Sequence, residues 1–279
     1  MSAPPSLIDV INRFIESDSV ALPVLNAAAF RIQQEVAKSE PDIQVIERII
    51  TSDQALASHV LKIANSSFYR GLSEVGTVRT AITRLGMREI AQVVLMASSQ
   101  RHFSSKDAAI ALVMKKLWQH AVGCAYGAAW LAKRHPYGVE QGQAFFGGLL
   151  HDVGKLMVLV VVEHLKKKDK QMQLTDALLL EAMDRLHARE GGKLLEQWNL
   201  PEYFCAIARE HHSQEIDEKN ILLLLVRMAN LVCRKLGIGL RHEPDLVLPA
   251  TLEADLLHLS EIDLAELEIV LEDSSALSS

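Results

Sequence analysis

The feature that most constrains this chain is a His-Asp pair set inside an apolar run, Gly147-Gly148-Leu149-Leu150-His151-Asp152-Val153-Gly154-Lys155-Leu156. Neither an imidazole nor a carboxylate is placed in such a run for packing alone. A buried carboxylate is tolerated when it is hydrogen-bonded, paired with a cation or bound to a metal. Further histidines are available to join it: His120 upstream, and His187, His211 and His212 downstream. The expectation is a fold that buries the run and gathers these side chains into a metal site.

Around the pair the chain reads as all-α. Apolar residues recur at helical spacing in Ile43-Ile46-Ile49-Ile50, in Leu56-Val60-Leu61-Ala64, and in Ile82-Leu85 followed by Ile90-Val93-Val94, with no comparable period-two run. Pro41-Asp42 starts one helix and Asp53 can cap the next, while a loop from Asn65 to Thr77 and then Gly86 separate the helices beyond. Later helices are expected near residues 108–134, 141–164, 174–182, 187–198, 202–212 and 220–236. An acidic amphipathic helix is expected over residues 261–272, with the last residues from Asp273 frayed.

Composition narrows the function classes. With 279 residues, 49% of them hydrophobic and 23% charged, the chain can bury a sizeable core. The longest apolar stretch, Leu156 to Val162, falls short of the roughly 20 residues of a spanning helix, and the N-terminus lacks a basic segment before an apolar one. A soluble, cytoplasmic protein with no membrane partner is expected. Cys124, Cys205 and Cys233 lie far apart within apolar helical patterns, which reads as reduced core thiols. A net charge of -6 argues against a whole-protein grip on nucleic acid.

Each histidine has a plainer reading. His120 shares a helix with Val113, Leu117, Cys124 and Leu131 and could be a hydrogen-bonded core residue. His151 and Asp152, adjacent on a helix, would point about 100° apart. His187 reads as opening a helix, and His211-His212 as cations closing one. The combined order is more specific than any member.

That order, His120, then His151-Asp152, then His187, then His211-His212, resembles the HD superfamily of metal-dependent phosphohydrolases. The N-terminal half is similar to the HDOD domain, the HD-related output domain of bacterial signalling proteins. The segments that carry this are Leu22-Pro23-Val24-Leu25, Ile49-Ile50-Thr51-Ser52-Asp53-Gln54-Ala55-Leu56, Val60-Leu61-Lys62-Ile63-Ala64-Asn65-Ser66 and Thr80-Ala81-Ile82-Thr83-Arg84-Leu85-Gly86. The resemblance implies a multi-helix HD-like bundle with an N-terminal helical subdomain. Residues 1–19 would form a lead segment and 20–215 the HDOD domain, split into halves 20–105 and 106–215 at Ser104-Ser105-Lys106-Asp107. Residues 216–279 would be a helical extension.

In catalytic relatives, the resemblance implies, one ion takes a His, the His-Asp pair and a late Asp, and a second ion shares the bridging Asp with three further histidines. Here the late position falls on Asn230, in Met228-Ala229-Asn230-Leu231. An amide oxygen can coordinate but brings no charge. The set Asp152, His187, His211 and His212 is therefore the more intact one. Imidazole-rich ligation with one carboxylate suits iron, zinc, manganese or nickel, as one ion or two, better than calcium or magnesium.

Catalysis would use Asp152 to hold a metal-bound water and Lys155, one turn after His151, to meet a substrate phosphate; the plainer role for Lys155 is a salt bridge. After His211-His212 the chain reads Ser213-Gln214-Glu215-Ile216-Asp217, without the Gly-Tyr-Pro element of the HD-GYP branch, so cyclic di-GMP hydrolysis is disfavoured. A third possibility is a helix-turn-helix at residues 77–97 bearing Arg79, Arg84 and Arg88, against which these arginines would be solvated or paired with Glu74 and Glu89. The run Lys166-Lys167-Lys168-Asp169-Lys170 reads as a solvated helix end. The expectation is a regulatory or scaffold module in bacterial signalling that keeps an impaired metal site and works through a protein partner on a separate chain. A phosphohydrolase acting on a nucleotide or other phosphoester is the alternative.

Overall fold

A computed structural model describes residues 6–16, 27–36, 38–69, 71, 74–169, 172, 174–274 and 277. The Leu22-Pro23-Val24-Leu25 segment and Lys170 lie outside them. The described residues form helices and contain no strand. In chain order the helices are α1 (Leu7–Glu16), α2 (Ala27–Val36), α3 (Ile43–Thr51), α4 (Gln54–Ala64), α5 (Val78–Leu85), α6 (Met87–Gln100) and α7 (Ala108–Arg134). They continue with α8 (Gln141–Leu150), α9 (Val153–Lys168), α10 (Asp176–Gln197), α11 (Glu202–Glu210), α12 (Ile221–Leu236), a 3₁₀ turn at Leu248–Ala250, α13 (Leu252–Leu256) and α14 (Glu261–Ser274).

Local chemistry accounts for the starts of these helices. Asp42 accepts from the Gln44 amide at 2.7 Å and Asp53 from the Leu56 amide at 3.0 Å. Thr77, Asp107 and Asn220 cap α5, α7 and α12 in the same way. Each cap satisfies an amide that the first helical turn leaves free. The Asn65 side chain closes the loop after α4, donating to the Val75 carbonyl at 2.9 Å and accepting from the Val75 amide at 2.8 Å.

The long helix α7 is the centre of the bundle, packed against α8, α12 and α14, while α9 lies on α10 and α10 on α11. One apolar cluster runs from Ala29 on α2 through α4, α6, α7, α8 and α12 to Leu271 on α14. A second joins Ile11 of α1 to the first half of α7 and to α9 and α10. By length and hydropathy Gln141–Lys168 could pass for a membrane span, but 89% of its apolar window is buried inside the protein.

Three readings of the sequence need correction. Residues 141–164 are not one helix: the chain breaks at His151-Asp152, and α8 gives way to α9. Residues 174–198 are not two helices: α10 is continuous, so His187 sits in its middle rather than at its start. The segment 183–186 contains no breaker, which leaves the helix no reason to end there. Asp273 and Ser274 end α14 in order, with Ser274 buried and donating to the Leu271 carbonyl at 2.8 Å.

Candidate metal centre

Two close approaches place the His-Asp pair. A Cβ on Gly148 would lie 2.4 Å from the Cys124 carbonyl oxygen, and one on Gly154 would lie 2.0 Å from the His187 carbonyl oxygen. The glycines flanking the pair thus let α8 press onto α7 and α9 onto α10, where any side chain would collide with backbone. His151 and Asp152, at the break between α8 and α9, are thereby held between His120 of α7, His187 of α10 and His211, which follows α11.

The imidazoles are oriented by their far nitrogens. Nδ1 of His151 lies 2.7 Å from the Gly148 carbonyl, Nδ1 of His187 2.7 Å from the Met183 carbonyl, Nδ1 of His211 3.0 Å from the Ala208 carbonyl and Nδ1 of His120 3.1 Å from the Ile238 carbonyl. A carbonyl can only accept, so each Nδ1 carries the proton and donates it. The Nε2 lone pairs then face inward, as in histidines that ligate metals.

All four Nε2 atoms converge on Asp152. Its Oδ1 is 3.3 Å from His211 Nε2 and 3.6 Å from His187 Nε2. Its Oδ2 is 3.5 Å from both His120 Nε2 and His151 Nε2. Lys155 completes the Oδ2 side, its ammonium 2.6 Å from the carboxylate. His212 is exposed, yet its ring centre is 4.2 Å from that of His211 and 5.1 Å from that of His187. Asn230 is buried and lines a cavity of ≈ 210 Å³ together with His120, Lys155, Asp184, His212, Arg234 and Arg241.

The electrostatics differ from donor to donor. Burial holds His151 well below the usual imidazole range and lowers His187 to about 4, whereas at His120 burial is outweighed by Cys124 and Asp152, which raise it. Burial works against the charge of Asp152, but Lys155, His151 and His211 outweigh it and hold the carboxyl well below its usual range. The result is a buried carboxylate ringed by imidazoles whose Nε2 atoms point at it and at one another, His187 Nε2 standing 3.3 Å from His211 Nε2. Asp152 Oδ1 and His151 Nε2 are buried without a hydrogen-bond partner.

This donor set fits a divalent cation. Lone pairs that face each other need a positive centre between them, and nitrogen and oxygen donors about 2.0–2.1 Å from a tetrahedral ion lie about 3.4 Å apart. The edges among Asp152 Oδ1, His187 Nε2 and His211 Nε2 are 3.3 to 3.6 Å. His212 offers a further ligand to this group.

Other sequence expectations resolve differently. Arg79 pairs with Glu47 at 2.5 Å, not with Glu74 or Glu89. Glu89 instead accepts from the Tyr69 hydroxyl, which also bonds Tyr126. The second helix of the supposed helix-turn-helix, α6, is buried continuously from Ile90 to Ser98 and has no free face for a groove. Lys155 makes its salt bridge with Asp152 itself. The sequence pattern also gives no sign of a meeting of side chains 109 positions apart, in which Cys124 and Cys233 approach to 3.7 Å beside His120.

An all-α bundle that turns a His-Asp pair and distant histidines onto one carboxylate defines the HD class of metal-site folds. The HDOD domain model matches residues 22–214, and the chain belongs to that family. It is 25% identical over 220 residues to an uncharacterised protein of Treponema pallidum, covering 76% of this chain but only 42% of that protein's length. Among solved structures, an HDOD domain protein of unknown function from Geobacter sulfurreducens superposes with a TM-score of 0.77 at 20% identity over 96% of both chains. A provisionally named metal-dependent phosphohydrolase from Shewanella amazonensis gives 0.72 at 19% over 98% of both. A provisionally named signal transduction protein from Marinobacter aquaeolei gives 0.67 at 20%, over 99% of this chain and 61% of that one. At these identities the structural likeness speaks to the fold.

Proposed function

We propose that this chain is a regulatory or scaffold HDOD module of bacterial signalling that carries a divalent ion on Asp152, His187, His211 and His212. The observation that carries the reading is the inequality of the two Asp152 oxygens. Among the described residues Oδ1 faces the imidazoles of His187 and His211, whereas Oδ2 already holds the Lys155 ammonium. With Lys155 in place and a neutral Asn230 at the late position, the Oδ2 side has little electrostatic call for a second dication. An ion on the Oδ1 side would tie α9 to α10 and to the end of α11, bracing the bundle against which the α2–α6 helices pack. Its chemistry would be Lewis acidity, and the surrounding chain would supply binding and orientation.

The phosphohydrolase alternative draws support from the cavity beside the site, which is large enough for a phosphoester group and lined by cations. Those cations are already engaged, however. Lys155 binds Asp152, Arg234 holds Glu243 at 2.6 Å and Arg241 holds Asp184 at 2.7 Å. A phosphate would have to break one of these pairs to be gripped.

The test is metal analysis of protein purified without a histidine tag, alongside a phosphodiesterase screen of the parent and Asp152→Ala. The proposal expects bound metal in the parent, one equivalent less of it in Asp152→Ala, and no turnover in either. Metal-stimulated hydrolysis of a nucleotide or generic phosphodiester, abolished in Asp152→Ala with circular dichroism unchanged, would put the enzyme in first place.

A further inference from the structure

The fold assembles a second donor set that the His-Asp constellation does not require. Cys124 of α7 and Cys233 of α12 are fully buried, and their sulfurs stand 3.7 Å apart. His120 Nε2 lies 3.6 Å from Cys124 Sγ, and all three ligand atoms fall within 4.8 Å of one another. The approach is built in, because a Cβ on Gly123 would lie 2.9 Å from Cys233 Sγ. Only a glycine there lets α12 bring its thiol against α7 without displacement.

We infer that His120, Cys124 and Cys233 form a thiolate site for a soft or borderline cation, zinc foremost, separate from the carboxylate-imidazole site at Asp152. The spacing is the first argument. With metal–sulfur bonds of about 2.3 Å and metal–nitrogen bonds of about 2.0–2.1 Å, tetrahedral donors stand about 3.8 Å (sulfur to sulfur) and about 3.6 Å (sulfur to nitrogen) apart. The observed edges, 3.7 and 3.6 Å, already match. Charge is the second argument: a divalent ion displaces two thiol protons to solvent and is neutralised by the two thiolates, so no net charge is buried. The donor atoms are the third, since two sulfurs and one imidazole without an oxygen disfavour calcium and magnesium and favour zinc. A water from the cavity that His120 lines would complete the tetrahedron.

The inference goes beyond the proposed function and does not depend on it, but it links the two sites through one atom. With Nδ1 committed to the Ile238 carbonyl, His120 has a single lone pair, nearly equidistant from Asp152 Oδ2 at 3.5 Å and Cys124 Sγ at 3.6 Å. A cation held by the thiols claims that lone pair and withdraws His120 from the Oδ2 side, the side on which Lys155 already supplies positive charge.

Cobalt(II) titration of the chelator-stripped full chain under a phosphine reductant tests this, because cobalt–thiolate bonds give a charge-transfer absorption that oxygen and nitrogen ligation does not. The expected result is a saturable band in the parent, in Asp152→Ala and in Cys205→Ser, bleached by zinc and absent from the Cys124→Ala/Cys233→Ala double variant. No band in the parent, or a band that survives the double variant, overturns the inference. Should the double variant fail to fold, alkylation of the parent decides: zinc must slow labelling of Cys124 and Cys233 in Asp152→Ala as it does in the parent, and equal labelling with and without zinc overturns it. Loss of metal from the Asp152 site alone leaves all these readouts in place, so failure of one site is distinguishable from failure of the other.

Discussion

On the Oδ1 side of Asp152, His187 and His211 stand 3.6 and 3.3 Å away, burial lowers His187 to about 4, and no lysine or arginine among the described residues pairs with this oxygen. On the Oδ2 side, His120 and His151 stand at the same range, but Lys155 is 2.6 Å away and Asn230 shares the cavity. One carboxylate thus presents a face that lacks a positive centre and a face that already has one. A cluster of ligand-type residues is therefore not enough to assign an ion. What matters is whether the surrounding charges leave the donors in need of it.

The largest effect should come from removing the approach that creates the Oδ1 face. Gly154→Ala puts a methyl group 2.0 Å from the His187 carbonyl oxygen, a backbone atom that cannot rotate aside. α9 and α10 must separate, so Asp152 loses His187. Thermal or urea unfolding should show a loss of about 3 kcal/mol or more, with the ion at Asp152 lost. A variant with parental stability and metal would mean that the α9–α10 contact does not build the site.

The comparison is sharpened by alanine substitution on each side. His211→Ala should lower metal affinity by at least about tenfold, whereas His151→Ala should leave it close to the parental value, read by competition with a chelating dye. Equal losses on both sides would mean that the ion engages both oxygens, and its assignment to the Oδ1 side would fall.

Acid should act on the same face in the metal-free protein. Burial lowers His187 to about 4, below its unfolded value, so between those two values the unfolded chain binds the proton that the native chain refuses. Stability therefore falls as the pH drops from about 6.5 to about 4, by a few kcal/mol, and the contribution levels off below that window. Urea titrations of the parent at stepped pH should show this slope, and His187→Gln should flatten it. A parent whose stability stays constant over the window would place the histidine in a more solvated setting.

Range in sequence decides which of these features can be read from the chain alone. Helix starts at Asp42 and Asp53 are legible because a cap is a contact across two or three residues, and α7 and α12 keep their expected extents because their ends are marked by Asp107, Asn220 and Gly237. The histidines around Asp152 can be named from order and type, since buried imidazoles beside a carboxylate are costly without a purpose. The unequal sides of the carboxylate cannot, because they depend on where Lys155 points. Gly154 and Gly148 flank the pair in plain view, yet the backbones they admit belong to His187 and Cys124, on other helices. The Cys124–Cys233 contact is hidden for the same reason: it joins two apolar helices whose patterns are satisfied by any small core residue.

The smallest and most specific test works on the Oδ2 face. Asn230→Asp restores a negative charge to the cavity wall that His120 and Lys155 share, and Lys155→Met removes the ammonium from Asp152 Oδ2. Alone, Asn230→Asp should strengthen binding of a second ion by roughly tenfold at most, about 1.4 kcal/mol, because Lys155 still competes for the oxygen. Combined with Lys155→Met, it should add one further ion to the Asp152 centre, an effect larger than the separate effects sum to, since both substitutions act on one oxygen. Metal counting by mass spectrometry on matched preparations reads the outcome. Unchanged stoichiometry in the double variant would show that Asn230 does not stand at the acidic position of the dinuclear relatives and that Lys155 is not what keeps the second ion out.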